Sequence, residues 1–129
     1  MTGVQTCALP ISLVLPKREV ISEVVTAERD TVAIRMPQHP VARALIRYSM
    51  TPIAAPSANN FGRPSPTTAD HVLHDLSGEI AAVLDAGATP LGVESTILDM
   101  TTDPPTLLRP GGVPREAIEA IVGDRKSVV

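Results

Sequence analysis

Thirteen prolines in 129 residues limit what this chain can fold into. Proline lacks the backbone N–H that a helix interior or a central strand needs, so no element can run far past one. Between the prolines lie brief β-branched apolar runs and short amphipathic stretches, and the prolines themselves gather around loops. The pattern predicts small strands and helices joined by structured loops. No apolar run approaches the roughly 18 residues needed to span a bilayer. The start carries no basic segment followed by a long apolar stretch, so no secretory signal is read and a cytoplasmic location is expected.

One tyrosine, one phenylalanine and no tryptophan leave the core to Val, Ile, Leu and Ala. The same scarcity argues against binding single-stranded nucleic acid by base stacking, which needs aromatic platforms. A formal charge of -3 gives no electrostatic reason for tight binding to a phosphate backbone. The length suits one domain with a modest core.

Along the chain, Leu13–Leu15 is a short apolar run ended by Pro16. Arg18–Thr26 carries Val20, Ile21, Val24 and Val25 at helical spacing. Thr31–Ile34 reads as a strand that Pro37 stops. Pro40 opens a helix to about Tyr48, where its missing N–H costs nothing, with Val41, Leu45 and Tyr48 on one face. Ile53–Ala55 reads as a buried strand, and PSANNFGRPSP, from Pro56 to Pro66, as a long polar loop. Thr67 is the expected N-cap of a helix over Thr68–Leu76, with Asp70 three residues on. Ala82–Leu84 is a further strand. Ser95–Leu98 and Thr106–Leu108 are strands whose close spacing predicts an antiparallel pair. Pro114 opens a last helix, Arg115–Val122, closed by Gly123. Strands alternating with helices indicate a mixed α/β domain.

The two ends read as foreign. MTGVQTCALPIS (Met1–Ser12) has no charge and no convincing period, and DRKSVV (Asp124–Val129) follows a natural helix end. Both resemble translated sequencing adapter: DRKSVV can be written GAT CGG AAG AGC GTC GTG, and the first eleven residues can be written from the opposite adapter. Residues 13–123 are then the natural stretch. Cys7 is the only cysteine, so that stretch has no thiol with which to form a disulfide, bind a metal or attack a substrate.

Four segments place polar groups within or directly after short apolar runs: Thr31–Pro37, Ala55–Asn59, Gly92–Thr96 and Leu108–Gly111. In open α/β sheets, ligands bind beyond the carboxyl ends of strands, and Arg35, Ser57, Asn59 and Arg109 stand near such ends. Each admits a plainer role when taken singly. An arginine after a strand can form a surface ion pair, and Ser57 and Asn59 can cap turns. Ser95 can be an ordinary strand hydroxyl and Glu94 a solvated carboxylate. His71 and His74, three apart on a helix without a third ligand, read as surface residues, and His39 likewise. No metal site and no catalytic nucleophile is read.

Taken together, VAIRMP–HP, PIAAPSANxxGxPSPT, GVESTI-D and LLRPG, in that order, resemble the YrdC-type threonylcarbamoyl-adenylate synthase family over about Leu13–Gly123. The resemblance implies an α/β fold: a YrdC-like twisted mixed sheet with flanking helices, here with its N-terminal part missing. It implies a nucleotidyltransferase that condenses L-threonine, bicarbonate and ATP, releases pyrophosphate and leaves threonylcarbamoyl-AMP. A separate transferase complex then carries the group to adenosine 37 of tRNA, so tRNA is an indirect partner. Mg²⁺ is expected with ATP, held largely by its phosphates.

Carried over by position, Arg35, the Ala55 backbone and Ser95 form the threonine pocket, with Arg35 on the carboxylate. Thr31, Ser57, Ser65 and Arg109 contact ATP, and Asn59 fixes the loop or a phosphate. Such chemistry needs positioning and charge neutralisation more than a nucleophilic side chain. The family pairs its Ser-x-Asn motif, here Ser57-Ala58-Asn59, with an upstream Lys-x-Arg motif that has no counterpart in this chain; Lys17-Arg18-Glu19 is not it. Little or no synthase activity is therefore expected of this polypeptide alone. Two alternatives share the fold. One is the YrdC-like module of hydrogenase-maturation carbamoyltransferases, against which the PSANxxGxPSPTT loop speaks. The other is a double-stranded-RNA-binding module, which the acidic balance disfavours.

Overall fold

The structure, a computed structural model, describes residues 11–123 and 126–127. Its elements are β1 (Ile11–Pro16), α1 (Glu23–Thr26), β2 (Thr31–Ile34), α2 (Pro40–Ser49), α3 (Ala69–Leu76), β3 (Thr96–Asp99), β4 (Thr106–Arg109), α4 (Arg115–Val122) and β5 (Lys126–Ser127). The described residues divide into two compact units: a loop unit, Pro37–Gly92, and a sheet unit drawn from residues 11–36, 93–123 and 126–127.

The sheet unit holds all five strands in the order β2-β1-β3-β4-β5. β1 lies antiparallel to β2 and parallel to β3, and β3 and β4 form the expected antiparallel pair. The mixed α/β class follows from these pairings. The strands are short because prolines bound them: Pro16 ends β1, and Pro110 follows β4. Leu98 (1% exposed), Leu107 and Ile118 form the apolar core, joined by the buried hydroxyls of Ser12, Ser95, Thr96 and Thr106. As the composition implies, the core is aliphatic: Phe61 is fully exposed and Tyr48 is 85% exposed.

In β4 the register slips. Leu98 pairs with Leu107, but Ile97 pairs with Arg109, so Leu108 is an extra, solvent-facing residue. A bulge of this kind re-aims the side chain that follows it, and here that side chain is Arg109.

In the loop unit, α2 starts as expected. Pro40 sits in its first turn, and the His39 ring caps it by accepting the Val41 N–H at 3.3 Å. α3 is capped by Thr68, not Thr67: the Thr68 hydroxyl accepts the His71 N–H at 3.3 Å. The cap lies one residue later because Thr67 is held elsewhere, its carbonyl accepting the Thr89 N–H at 2.8 Å.

Other expectations need correction. The helix expected over Arg18–Thr26 shrinks to Glu23–Thr26, since Val20, Val24 and Val25 find no core and stay exposed. In α2 the buried residue is Ala42, not Val41 or Tyr48. Ile53–Ala55 and Ala82–Leu84 form no strand beyond a single bridge at Val83. β1 begins at Ile11, with Ile11 and Ser12 paired to Thr96 and Ile97, and Lys126–Ser127 pair with Thr106–Leu107. Met1–Pro10 and Cys7 lie outside the described residues.

Candidate functional site

Strand directions bring three of the expected site residues to one end of the sheet. β1 and β3 start there, while β2 and β4 finish there. Ser12 opens that end of β1, and Ser95 directly precedes β3. Arg109 is the last residue of β4. Arg35 follows β2 and, one step beyond the Leu13–Ile34 pair, comes level with Ser12.

The centre of this group is Ser95, 3% exposed. Its hydroxyl lies 3.1 Å from Ser12 Oγ and accepts from Arg109 Nη2 at 3.0 Å. Arg109 Nε and Nη2 also donate to the Ser95 carbonyl, at 3.0 and 2.8 Å. The remaining arm, Nη1, meets Glu94 Oε2 at 3.0 Å. The fork geometry of the guanidinium serves a backbone carbonyl, a hydroxyl and a carboxylate at once, which a lysine ammonium cannot do.

The chain after Arg109 straps this arrangement down. The Gly112 N–H donates to the Glu94 carbonyl at 3.3 Å, and the Thr96 hydroxyl exchanges 3.1 Å bonds with both the N–H and the C=O of Val113. Gly111 lies so close that a Cβ there would collide with the Glu94 carbonyl oxygen and the Thr96 amide nitrogen. Only glycine fits the LRPG turn at this point, and the reason is close approach of two backbones.

The other expected residues of the sheet unit are placed differently. Thr31 begins β2, level with Pro16 at the far end of the sheet. It lies four strand residues, about 13 Å, from Arg35. Arg35 is exposed and forms no ion pair among the described residues.

In the loop unit, the PSANNFGRPSP segment is a structured turn. The Arg63 N–H donates to the Asn60 carbonyl at 3.1 Å across Phe61 and Gly62, and Gly62 takes the left-handed φ of +84° that this reversal demands. Asn59 Nδ2 donates to the carbonyls of Asn60 (2.9 Å) and Arg63 (3.0 Å), so its side chain braces the turn from within. Its Oδ1 is buried and accepts no hydrogen bond from the described residues. Ala58 is buried beneath the turn, Ala55 and Ser57 are exposed, and Ser65 is half-buried.

Asp75 of α3 anchors the turn. Its Oδ2 accepts the Asn60 N–H at 3.2 Å, its carbonyl accepts from Asn60 Nδ2 at 3.0 Å, and its Oδ1 meets Arg63 Nη1 at 2.5 Å. Burial of the carboxylate pulls its pKa up, but the Asn60 N–H and the Arg63 guanidinium outweigh that, and the group titrates below the usual carboxylate range. An open groove of about 480 Å³, lined by Arg63, Ser65, Thr67, His71, His74 and neighbouring residues, runs beside this anchor. His71 Nδ1 lies 3.3 Å from the Thr67 hydroxyl.

Ser12, Gly111, Asn60 and Asp75 are not among the expected site residues. Ser12 falls in the segment that reads as a foreign tail. Gly111 carried a signal in the LRPGG run, whereas a lone helix aspartate such as Asp75 carries none.

Comparison with known proteins gives a consistent picture. A family model for Sua5, YciO and YrdC proteins, described as telomere recombination, matches residues 4–111. Threonylcarbamoyl-AMP synthase of Pyrococcus abyssi is 56% identical over 115 residues, covering 89% of this chain and 34% of the relative. The Bacillus subtilis protein of the same name is 59% identical over 114 residues, covering 88% of this chain and 33% of that protein. A crystal structure of P. abyssi Sua5 complexed with L-threonine superposes with a TM-score of 0.88 at 54% identity, covering 91% of this chain and 34% of that one. E. coli YciO, at 22% identity and a TM-score of 0.69, shares the fold. The chain thus spans about a third of the length of the curated synthases it matches.

Proposed function

The chain belongs to the Sua5/YciO/YrdC family, and on that premise we propose that it carries threonine- and nucleotide-binding residues of a threonylcarbamoyl-AMP synthase. The whole protein forms threonylcarbamoyl-AMP and pyrophosphate from L-threonine, bicarbonate and ATP, in the cytoplasm, and a downstream transferase complex delivers the product to tRNA.

The observation that carries this reading is the Ser95–Arg109 pair. A buried hydroxyl suited to an amino-acid substrate and a guanidinium suited to a phosphate stand 3.0 Å apart. Joining two substrates needs their contacts side by side, since holding the reacting groups together removes much of the entropic barrier. In this reading Arg35 receives the threonine carboxylate and Ser95 orients the amino acid. Arg109 draws negative charge off the phosphate as pyrophosphate leaves. Thr31, at the far end of β2, meets the part of the nucleotide remote from the reacting phosphorus. Taken by itself, the loop unit offers the Ser57 and Ser65 hydroxyls to the nucleotide, Asn59 holds their turn, and the Ala55 backbone is assigned to threonine.

Among the described residues no group of three His, Cys, Asp or Glu side chains is placed to hold a metal. Mg²⁺ is expected to accompany ATP, held largely by the nucleotide's own phosphates. No helix of the described residues is long and apolar enough to cross a membrane.

Calorimetric titration of L-threonine tests the proposal. Ser95→Ala should weaken binding about tenfold, the worth of one buried hydrogen bond, and Arg35→Ala more. Equal affinities across the three proteins would refute it.

A further inference from the structure

We propose that Asp75 is a positioning residue for nucleotide binding: it holds the Asn60–Arg63 turn, and through it Ser57, Asn59 and Ser65, without touching the nucleotide itself. The inference rests on the reading of those loop residues given above.

The loop needs such a holder. Residues 56–66 form no helix and join no ladder, so their backbone groups lack the regular partners that stiffen an element. Inside the loop, Asn59 braces the turn and Gly62 reverses it. Those bonds shape the turn but do not fix where it sits. Among the described residues, every hydrogen bond that Asn60 and Arg63 make outside the loop ends on Asp75. Three different groups converge there: a backbone N–H, a side-chain amide and a guanidinium. They satisfy both carboxylate oxygens and the Asp75 main-chain carbonyl.

Two features separate this from an ordinary surface ion pair, which contributes little. The Asp75 side chain is only 8% exposed although Arg63 is 53% exposed, so the carboxylate is sheltered. One of its oxygens also takes a backbone N–H, which fixes main chain and not a flexible side-chain tip. The roughly two turns of α3 then serve as a rigid base, because Thr68 caps the helix start and Asp75 stands near its end. The turn so held lies between Ser57 and Ser65 in sequence, so both are set by one anchor.

The test compares ATP and L-threonine affinity in the 129-residue chain with Asp75→Ala, Asp75→Asn and Ser65→Ala variants, each checked by thermal unfolding. Asp75→Ala should weaken ATP binding about tenfold, as expected for the loss of charge-assisted hydrogen bonds. Asp75→Asn, which keeps an acceptor for the Asn60 N–H, should lose less. Threonine affinity should not change in either. Unchanged ATP affinity in Asp75→Ala, with Ser65→Ala impaired, would overturn the inference and leave the nucleotide reading intact. So would a fall in ATP and threonine affinity by the same factor, which is the mark of general unfolding. If wild type fails to bind ATP, or Ser65→Ala binds it as wild type does, the nucleotide reading itself falls and the inference with it. Should Asp75→Ala not fold, Asp75→Asn and Arg63→Ala carry the same comparison.

Discussion

Arg109 grips Ser95 three times: Nε and Nη2 both donate to its carbonyl, at 3.0 and 2.8 Å, and Nη2 reaches its hydroxyl at 3.0 Å. A main-chain carbonyl taken by a planar fork cannot rotate away, so the hydroxyl next to it inherits a fixed direction. The grip depends on the bulge at Leu108, which places Arg109 level with Ile97 in the pairing of β3 and β4.

Arg109→Lys keeps the charge and loses the fork. It leaves a part-buried carbonyl short of at least one charged donor, a loss of about 1.5–3 kcal/mol. Urea unfolding should show that decrease, together with weaker threonine binding even though Ser95 is untouched. Full retention of both properties would mean that the grip is incidental.

Gly111→Ala should destabilise by about 1–3 kcal/mol, the usual cost of forcing a methyl group into a filled site. Backbone atoms of residues 94–96 surround the position, and backbone cannot swing aside as a side-chain tip can. Gly78→Ala makes the useful contrast: it meets no atom within 4 Å but sits at φ +84°, so any cost there is conformational strain. Denaturant midpoints of the two variants measure each effect, and only Gly111→Ala should also disturb threonine binding.

Local rules made much of this fold legible in the sequence. Pro40 and Gly123 mark helix ends by backbone chemistry alone, and the β3–β4 hairpin follows from two β-branched runs with a turn between them. Other features depend on tertiary context. Arg18–Thr26 has helical spacing, but its Val20, Val24 and Val25 stay exposed, and four residues of helix remain. Ile53–Ala55 is apolar enough for a strand, yet no neighbour pairs with it. For the site, the motifs pointed to Ser95 and Arg109, and the structure joins them. The bulge at Leu108 and the approach of Gly111 to Ser95 could not be read, since both arise from pairing between segments. Asp75 was equally silent, because its partners, Asn60 and Arg63, lie 15 and 12 residues away.

Acid should release the loop anchor. The folded-state pKa of Asp75 lies below its ordinary 3.8, so the unfolded chain binds this proton more readily than the folded one. The anchor's contribution is therefore fully present above about pH 3.8 and is lost as pH falls through the lower, folded value. Amide exchange at Asn60 and Arg63, followed downward from pH 5, should accelerate in that window beyond its intrinsic trend. In Asp75→Asn the extra acceleration should vanish; its persistence would place the titrating group elsewhere.

The most direct measurement is a two-dimensional NMR titration of the labelled chain with L-threonine. Shifts should concentrate at Ser12, Arg35, Ser95 and the Arg109 side-chain Nε–H, with α4 unmoved, and should be lost in Ser95→Ala. Shifts centred elsewhere, or the same pattern in the alanine variant, would contradict the threonine-binding assignment.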